Sequence, residues 1–463
     1  MNGVPAALHA HEGAAPSAAH PALQRQGAWP AFGLAALLFF FVHHQQDVTG
    51  FLYDARDYWQ QALLQGAGPR GYLYPLLLAP ARWLSAVLGE DTLLPYRIFS
   101  SLAYAALLTL LLPRIFTGLF GGTVSLTRRL LPCVLLASVF PGVLTHPVSD
   151  LPALLLCCGA VAAVQQWRDG PGQRAGWLLF GAGMLGAAAC NTRSIYLFAL
   201  LPLLAVVLAA GKARPLPRRA IHALVFLAGA CLVTLPQVEI NRQAHGVFSP
   251  SPSPGRDLFA FQLFLGLEVQ RYETTTHPDG KSAGVPFIDR AGRRLMDKPG
   301  VDEQQRSVGN YLGIFRDYPL DVLGVYGRHL VNGLDVRDGK LYVNRQSRTR
   351  DGMSLYGFSL LALAAWILLV PAARRRTPGW QAPSPTPWLW TGILLLPVAA
   401  ITPGAVETRF FLPVFVLAFC TIAYKGDPGA LLHDFLLRPV RIALAFVLAL
   451  SVFSAITLTT MAQ

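Results

Sequence analysis

Acidic and arginine side chains interrupt the apolar pattern of this chain at widely separated positions. The clearest are Asp54, Arg97, Asp150, Arg193, Glu407 and Arg409. A carboxylate can take the proton of a hydroxyl nucleophile, and the planar arginine fork binds the oxygens of a phosphate in pairs. These residue types predict a site that holds a phosphate-bearing molecule beside one general base.

Each of these residues also has a structural interpretation. Asp150 follows Ser149 and can cap the helix that starts there, because a carboxylate at a helix N-terminus meets unpaired N–H groups. Arg193 and Arg409 can reach lipid headgroups from the ends of apolar helices. Asp54 can be a solvated loop acid, and Glu407 can serve only to pair with the arginine two residues later.

The composition indicates a membrane protein. Of the 463 residues, 53% are hydrophobic and 14% are charged, and the mean hydropathy is +0.43, whereas a soluble domain has about 25% charged residues. The net charge of +13 does not predict nucleic-acid binding, because the arginines form short clusters between apolar runs, as in loops beside a membrane.

Apolar runs of roughly 17–25 residues can cross a bilayer as helices. The predicted fold is therefore an all-α integral membrane protein, a bundle of about eleven transmembrane helices with peripheral helices and one large loop on the outer face. The predicted spans are 28–44, 96–116, 129–145, 148–167, 176–191, 193–211, 219–240, 353–371, 387–403, 408–425 and 439–460. Residues 72–88 contain Pro75, Pro80 and Arg82 and are predicted to lie on the membrane rather than to cross it.

The arginine clusters orient these spans. With the N-terminus inside, the basic residues near 114–129, 168–174, 212–219, 374–376 and 425–438 all fall in cytoplasmic turns. The residues that then face the outer side are Asp54, Arg97, Asp150, Arg193, Glu407 and Arg409. The predicted location is the bacterial inner (plasma) membrane, with the site on the periplasmic side.

Four regions follow from this pattern. They are a disordered cytoplasmic tail (1–27), a transmembrane core (28–240) with a first outer loop (45–95), a large periplasmic loop (241–352) and the C-terminal transmembrane helices (353–463). Within the large loop the sequence predicts helices near 256–272 and 303–334. It contains no nucleotide-binding glycine loop and no Ser-His-Asp signature, so no cofactor and no metal are predicted.

The order of several short motifs is informative. They are Asp54-x-x-x-Tyr58-x-x-x-Ala62, Gly71 before Tyr74-Pro75-Leu76, Arg97 at the start of the second span, Ser149-Asp150, Thr192-Arg193, Pro236 with Asn241 and Gly246, and Glu407-x-Arg409. This order resembles that of the GT-C membrane glycosyltransferases, especially the protein O-mannosyltransferases and aminoarabinose lipid A transferases. The chain departs from that pattern at Ala55 and Leu76, where the family has Glu and a second Pro.

The resemblance implies an inverting transfer of a sugar from a polyprenyl-phosphate donor to a lipid, glycan or protein acceptor. It implies Asp54 as the catalytic base and Arg409, with Arg97 or Arg193, as phosphate contacts. Asp150 and Glu407 become supporting acids, and Tyr58 and Asn241 substrate-binding residues. Two other functions stay open: a transporter or flippase of a lipid-linked glycan, and a non-catalytic subunit of a membrane complex.

Overall fold

Helix is the main secondary structure, as the sequence predicts. One antiparallel hairpin in the large loop is the exception within the part of the chain that is described. The computed structural model describes residues 27–46, 48–63, 71–89, 92–120, 124–169, 175–209, 216–252, 258–276, 282–298, 306–337, 339–341, 350–369, 385–426, 445–446, 449–450 and 452. The predicted tail before residue 27 and almost all of the last predicted span (439–460) lie outside these residues.

Helices occupy the positions of the other ten predicted spans. The first half of the chain contains α1 (Ala28–Gln45), α2 (Tyr53–Gln61), α3 (Leu73–Leu88), α4 (Leu94–Ala106), a π-helix (Leu107–Leu111), α5 (Leu112–Phe120), α6 (Leu126–Val139), α7 (Pro141–Thr145), α8 (Asp150–Asp169), α9 (Ala175–Thr192), a 3-10 helix (Ser194–Tyr196), α10 (Leu197–Ala209) and α11 (Leu216–His245). The last spans form α16 (Arg350–Leu369), α17 (Pro385–Ile401), a 3-10 helix (Thr408–Phe411) and α18 (Leu412–Lys425).

Five helices of the described chain are long and apolar enough to cross a membrane. They are Leu94–Phe116, Asp150–Arg168, Leu216–His245, Arg350–Leu368 and Thr408–Lys425. Four shorter apolar helices are Leu73–Leu88, Ser194–Ala209, Leu258–Glu268 and Trp388–Ile401. The prediction that 72–88 forms a helix is confirmed, because α3 occupies this run.

One predicted span is interrupted in its interior by a residue outside the helical region. Residues 129–145 divide into α6 and α7 at Phe140, whose backbone leaves the helical region (φ −128°, ψ 50°). Phe140 precedes Pro141, and the ring of a proline disfavours helical backbone in the residue before it. After this break the chain reaches Asp150 through a short irregular segment, residues 146–149.

The described part of the large loop is folded. It contains α12 (Leu258–Glu268), β1 (Val269–Thr276), β2 (Ser282–Ile288), α13 (Arg290–Met296), α14 (Val308–Asp317) and α15 (Pro319–Leu334), and these elements form what we call the loop unit, the described residues between 258 and 334. The unit has its own apolar core, which includes Phe264, Leu267, Leu295 and Ile314.

Two predictions for this loop were wrong in detail. The helix predicted over 256–272 ends at Glu268, and residues 269–272 belong to β1, whose run of β-branched residues at 274–276 favours a strand. The helix predicted over 303–334 is interrupted at Tyr318, because Pro319 follows it.

The loop unit docks onto the segment that connects α17 to α18. The backbone N–H of Tyr272 donates to the carbonyl of Val406 at 2.8 Å, and Nδ1 of His329 lies 2.7 Å from the carbonyl oxygen of Thr402. A Cβ added to Gly333 would lie 2.1 Å from the ring of Phe411. The loop unit is therefore packed against the residues on either side of Glu407.

The described basic residues that were predicted to face the cytoplasm lie at the far end of the helices from Asp150 and Arg409. Arg128 donates to the carbonyl of Tyr424, near the end of α18, and Arg114 donates to Gln166, near the end of α8. Asp150 and Arg409 lie at the beginnings of α8 and α18. These two arginines thus lie at the opposite end of the helices from Asp150 and Arg409.

Helices α9 and α11 approach each other closely at two glycines. A Cβ on Gly183 would lie 1.9 Å from the carbonyl oxygen of Phe226, and a Cβ on Gly229 would lie 2.0 Å from that of Phe180. Small residues that let helix backbones meet in this way are common in membrane proteins. The contact fixes α9, whose C-terminal end leads to Arg193.

Substitution of Gly183 by alanine is expected to lower the thermal stability of the detergent-solubilised protein. The added methyl group overpacks the interface with α11, at a cost of about 1–3 kcal/mol. Gly181→Ala is the matched control on the same helix, because nothing lies within 4 Å of its Cβ position. Thermal unfolding monitored by size-exclusion chromatography should show a lower melting midpoint for Gly183→Ala than for Gly181→Ala and wild type. Equal midpoints for the two variants would contradict this packing.

Candidate functional site

Five of the predicted site residues meet around one guanidinium. Nη2 of Arg409 donates to Oδ2 of Asp54 at 2.9 Å and to Oε1 of Glu407 at 3.1 Å. Its Nη1 lies 3.8 Å from Oδ2 of Asp150, and Arg193 pairs with the other oxygen of that carboxylate. We call these five residues the Arg409 cluster.

The residues of the Arg409 cluster lie where helices begin or are interrupted. Asp54 and Asp150 lie in the first turns of α2 and α8, where the helix dipole favours a carboxylate. Arg193 and Glu407 have extended backbones, with φ of −152° and −120°, each just before a 3-10 helix. Because each segment begins or breaks at the same end of the bundle, its charged side chain reaches a common point.

The backbone beside Asp54 is strained. Tyr53 has a φ of 42°, in the left-handed region that a bulky residue rarely adopts. Strain of this kind persists only where the surrounding structure enforces it, and it occurs often at functional sites. The left-handed backbone of Tyr53 sets the direction of α2 relative to the preceding residues, and so it sets the position of Asp54.

The cluster is partly buried and carries a net negative charge. Three carboxylates surround two guanidiniums, which gives a formal charge of −1. The side chain of Asp150 is 3% exposed and that of Arg409 is 13% exposed, whereas Glu407 and Asp54 are 27% and 29% exposed. Water therefore reaches the last two carboxylates, and Asp150 is held inside.

An aromatic ring connects the two arginines. The guanidinium carbon of Arg193 lies 4.2 Å from the ring centre of Phe410, and that of Arg409 lies 5.5 Å from it. Cations are attracted to the face of an aromatic ring, so Phe410 helps to hold two like charges together. The sequence prediction missed this residue, although its position next to Arg409 was the available signal.

A narrow cleft with a volume of about 10 Å³, enough for roughly one water molecule, adjoins the cluster. Both charged and apolar side chains line it. Its lining consists of Asp150, Arg193, Ile195, Tyr196, Pro397, Ile401, Arg409, Phe410, Leu412 and Pro413. Oδ2 of Asp150 is buried there and accepts no hydrogen bond from the described residues, so its nearest positive charge is the Arg409 guanidinium at 3.8 Å.

Two other titratable groups nearby are neutral. Burial raises the pKa of Tyr74 well above its ordinary value, with smaller contributions from other tyrosines and from Asp150. Burial lowers the pKa of His146 to about 4. Tyr58 is buried against Tyr74, with ring centres 4.9 Å apart, and is not among the residues that line the cleft. The contact joins α2 to α3.

Arg97 is not brought into the cluster. Its Nη2 donates to the backbone carbonyl of Val48 at 3.0 Å, and it does not line the cleft. The bond ties the start of α4 to the segment after α1. The phosphate contact at Arg97 stays a prediction, and in this structure the residue makes a contact within the protein.

Asn241 is also used internally rather than at the cleft. Its Nδ2 donates to the carbonyls of Ser249 and Ser251 at 2.6 and 2.7 Å. Its Oδ1 accepts from Gln237 at 3.0 Å, and Oε1 of Gln237 accepts from Asn191 at 3.0 Å. This amide network (Asn191, Gln237, Asn241) fixes the end of α9 two residues before Arg193.

No group of three or more histidine, cysteine, aspartate or glutamate side chains within the described residues is arranged to hold a metal ion. Comparison with known protein families, with curated proteins and with solved structures finds no match. The arrangement of the chain's own residues therefore carries the functional argument.

Substitution of Gln237 by leucine is expected to destabilise the protein. It removes the partners of Nδ2 of Asn191 and of Oδ1 of Asn241, and leaving buried polar atoms unpaired costs about 1–3 kcal/mol. Gln243→Leu, on the exposed face of α11, is the matched control. A lower melting midpoint for Gln237→Leu than for Gln243→Leu is predicted, and unchanged stability of Gln237→Leu would show that the network is not structural.

Proposed function

We propose that the protein is a membrane glycosyltransferase that moves a sugar from a polyprenyl-phosphate donor to an acceptor hydroxyl at the outer face of the membrane. The Arg409 cluster carries this proposal. It combines two guanidiniums, which suit a phosphate, with a half-exposed carboxylate, Asp54, which suits a base. An apolar-lined cleft lies directly beside it.

In this proposal the donor phosphate binds Arg193 and Arg409. Both guanidiniums line the cleft, and each offers a fork of N–H groups that matches phosphate oxygens. Phe410 and Asp150 keep the two arginines in place. The cleft lining also includes Pro397, Ile401, Leu412 and Pro413, whose apolar side chains suit the first units of a prenyl chain.

The chemistry needs one base and a stabilised leaving group. The acceptor oxygen forms a bond to the anomeric carbon while the bond from that carbon to the phosphate oxygen breaks, and the configuration inverts. Asp54 takes the proton of the acceptor hydroxyl, and the phosphate leaves with the bonding electrons. The negative charge that grows on it is stabilised by the guanidiniums.

The membrane setting is part of the same proposal. A GT-C-like bundle of about eleven spans in the bacterial inner membrane would place the cluster at the periplasmic side. The separation of the basic helix ends from the cluster supports this orientation. The loop unit packs on the segment that carries Glu407, a position that suits an acceptor lipid, glycan or protein approaching from that side.

Asp54→Asn is expected to reduce sugar transfer by about 10³-fold or more, because a carboxamide cannot act as the base. Asp57→Asn is the matched control, since it makes the same change one turn along α2. The assay uses the purified chain in nanodiscs with a panel of radiolabelled polyprenyl-phosphate sugars and measures released polyprenyl phosphate.

Transfer by wild type and Asp57→Asn, with none by Asp54→Asn, is the predicted result. Near-normal turnover by Asp54→Asn would exclude Asp54 as the base. Flux of a lipid-linked glycan that survives Asp54→Asn, with no transfer by wild type, would instead indicate a transporter or flippase.

A further inference from the structure

The charge of the cluster poses a problem for an anionic donor. With three carboxylates and two guanidiniums, the cluster is already at −1, and a sugar phosphodiester adds a further negative charge. The phosphate can approach Arg409 closely only if a carboxylate gives up its place there. Glu407 and Asp54 share the same nitrogen of Arg409, Nη2.

The burial of the three acids indicates which of them can move. Asp150 is 3% exposed and pairs with Arg193, and a buried carboxylate separated from its partner is strongly destabilising. Asp54 is 29% exposed, so its charge can be solvated after it leaves Arg409. Glu407 is similarly exposed, but it also lies 2.7 Å from Nε of the arginine and only two residues away along the chain.

Arg409 itself is held from several sides. Phe410 contacts its guanidinium, Asp150 lies near Nη1, and Glu407 lies near Nε. Asp54 is joined to it across 355 residues of sequence, from a separate short helix. The geometry therefore favours departure of the aspartate while the arginine remains.

We propose that the donor phosphate replaces Asp54 on Arg409 and so releases the base only when the donor is bound. This inference rests on the proposed function. In the structure described here, Oδ2 of Asp54 accepts a hydrogen bond from the guanidinium, so the carboxylate is directed at Arg409 rather than at an acceptor hydroxyl. Once phosphate occupies Nη2, the carboxylate turns to the acceptor hydroxyl. Glu407 acts as a positioning residue that holds Arg409 through Nε and opposes the phosphate by its charge.

Binding of farnesyl phosphate to the full chain in phosphatidylcholine nanodiscs tests this exchange. Asp54→Asn and Glu407→Gln each remove a competing negative charge, so each should tighten binding by about three- to tenfold. Glu239→Gln is the matched control, because Glu239 forms a comparable pair with Arg242 on the exposed surface of α11, and it should leave the Kd unchanged.

The outcomes separate the two proposals. Suppose that Arg409→Gln abolishes binding, but neither Asp54→Asn nor Glu407→Gln binds more tightly than wild type. That result would overturn the exchange while keeping the site. No binding by wild type, or binding that persists in Arg409→Gln, would overturn the proposed function and the exchange together.

Carboxylate labelling gives a second readout on the unaltered protein. Carbodiimide with glycine ethyl ester, followed by peptide mass spectrometry, reports the accessibility of Asp54 relative to Asp57 on the same helix. Saturating farnesyl phosphate should raise labelling of Asp54 at least twofold with little change at Asp57. Unchanged or reduced labelling of Asp54 would contradict its release.

Discussion

A guanidinium that is only 13% exposed must be surrounded by opposite charge, and this requirement of Arg409 organises the end of the bundle at which it lies. A buried charge without a partner costs several kcal/mol, far more than most single contacts contribute. The compensating carboxylates come from the start of α2, the start of α8 and the connection before α18. Three distant parts of the chain are thereby held at one point.

The fold meets this requirement by interrupting its helices at that end. After the break at Phe140 the chain leads through α7 to Asp150 at the start of α8. The extended backbone of Arg193 places its side chain next to the same carboxylate. The loop unit then packs on residues 402–411 and holds the segment that contains Glu407 and Arg409. Regular helix alone would carry these side chains away from one another.

Much of this architecture follows from the sequence. Hydropathy predicts the helices within a few residues, because an apolar run of sufficient length is a direct physical signal. It does not show the break at Phe140 or the hairpin at β1 and β2, where the local effects of Pro141 and of a threonine run prevail over the apolar pattern. Asp54 and Arg409 are conspicuous in sequence, but their contact across 355 residues is a property of packing.

Arg97 and Asn241 show the limit of predicting contacts from residue type. Arg97 donates to the backbone carbonyl of Val48, and Asn241 donates to those of Ser249 and Ser251. Every residue has a backbone carbonyl, so a sequence does not show which of them a side chain will contact. Phe410 was overlooked because a single aromatic in an apolar stretch looks like core. Its contacts with Arg193 and Arg409 become visible only when both guanidiniums are located.

The central claim is that Arg193 and Arg409 together hold the phosphate of a lipid donor. Electron cryomicroscopy of the full chain in nanodiscs with saturating farnesyl phosphate tests it most directly. Density for the phosphate between the two guanidiniums, with the prenyl chain along Pro397 and Ile401, is the predicted result. Lipid density bound elsewhere, with the cleft empty and Arg409 still paired with Asp54, would contradict the account.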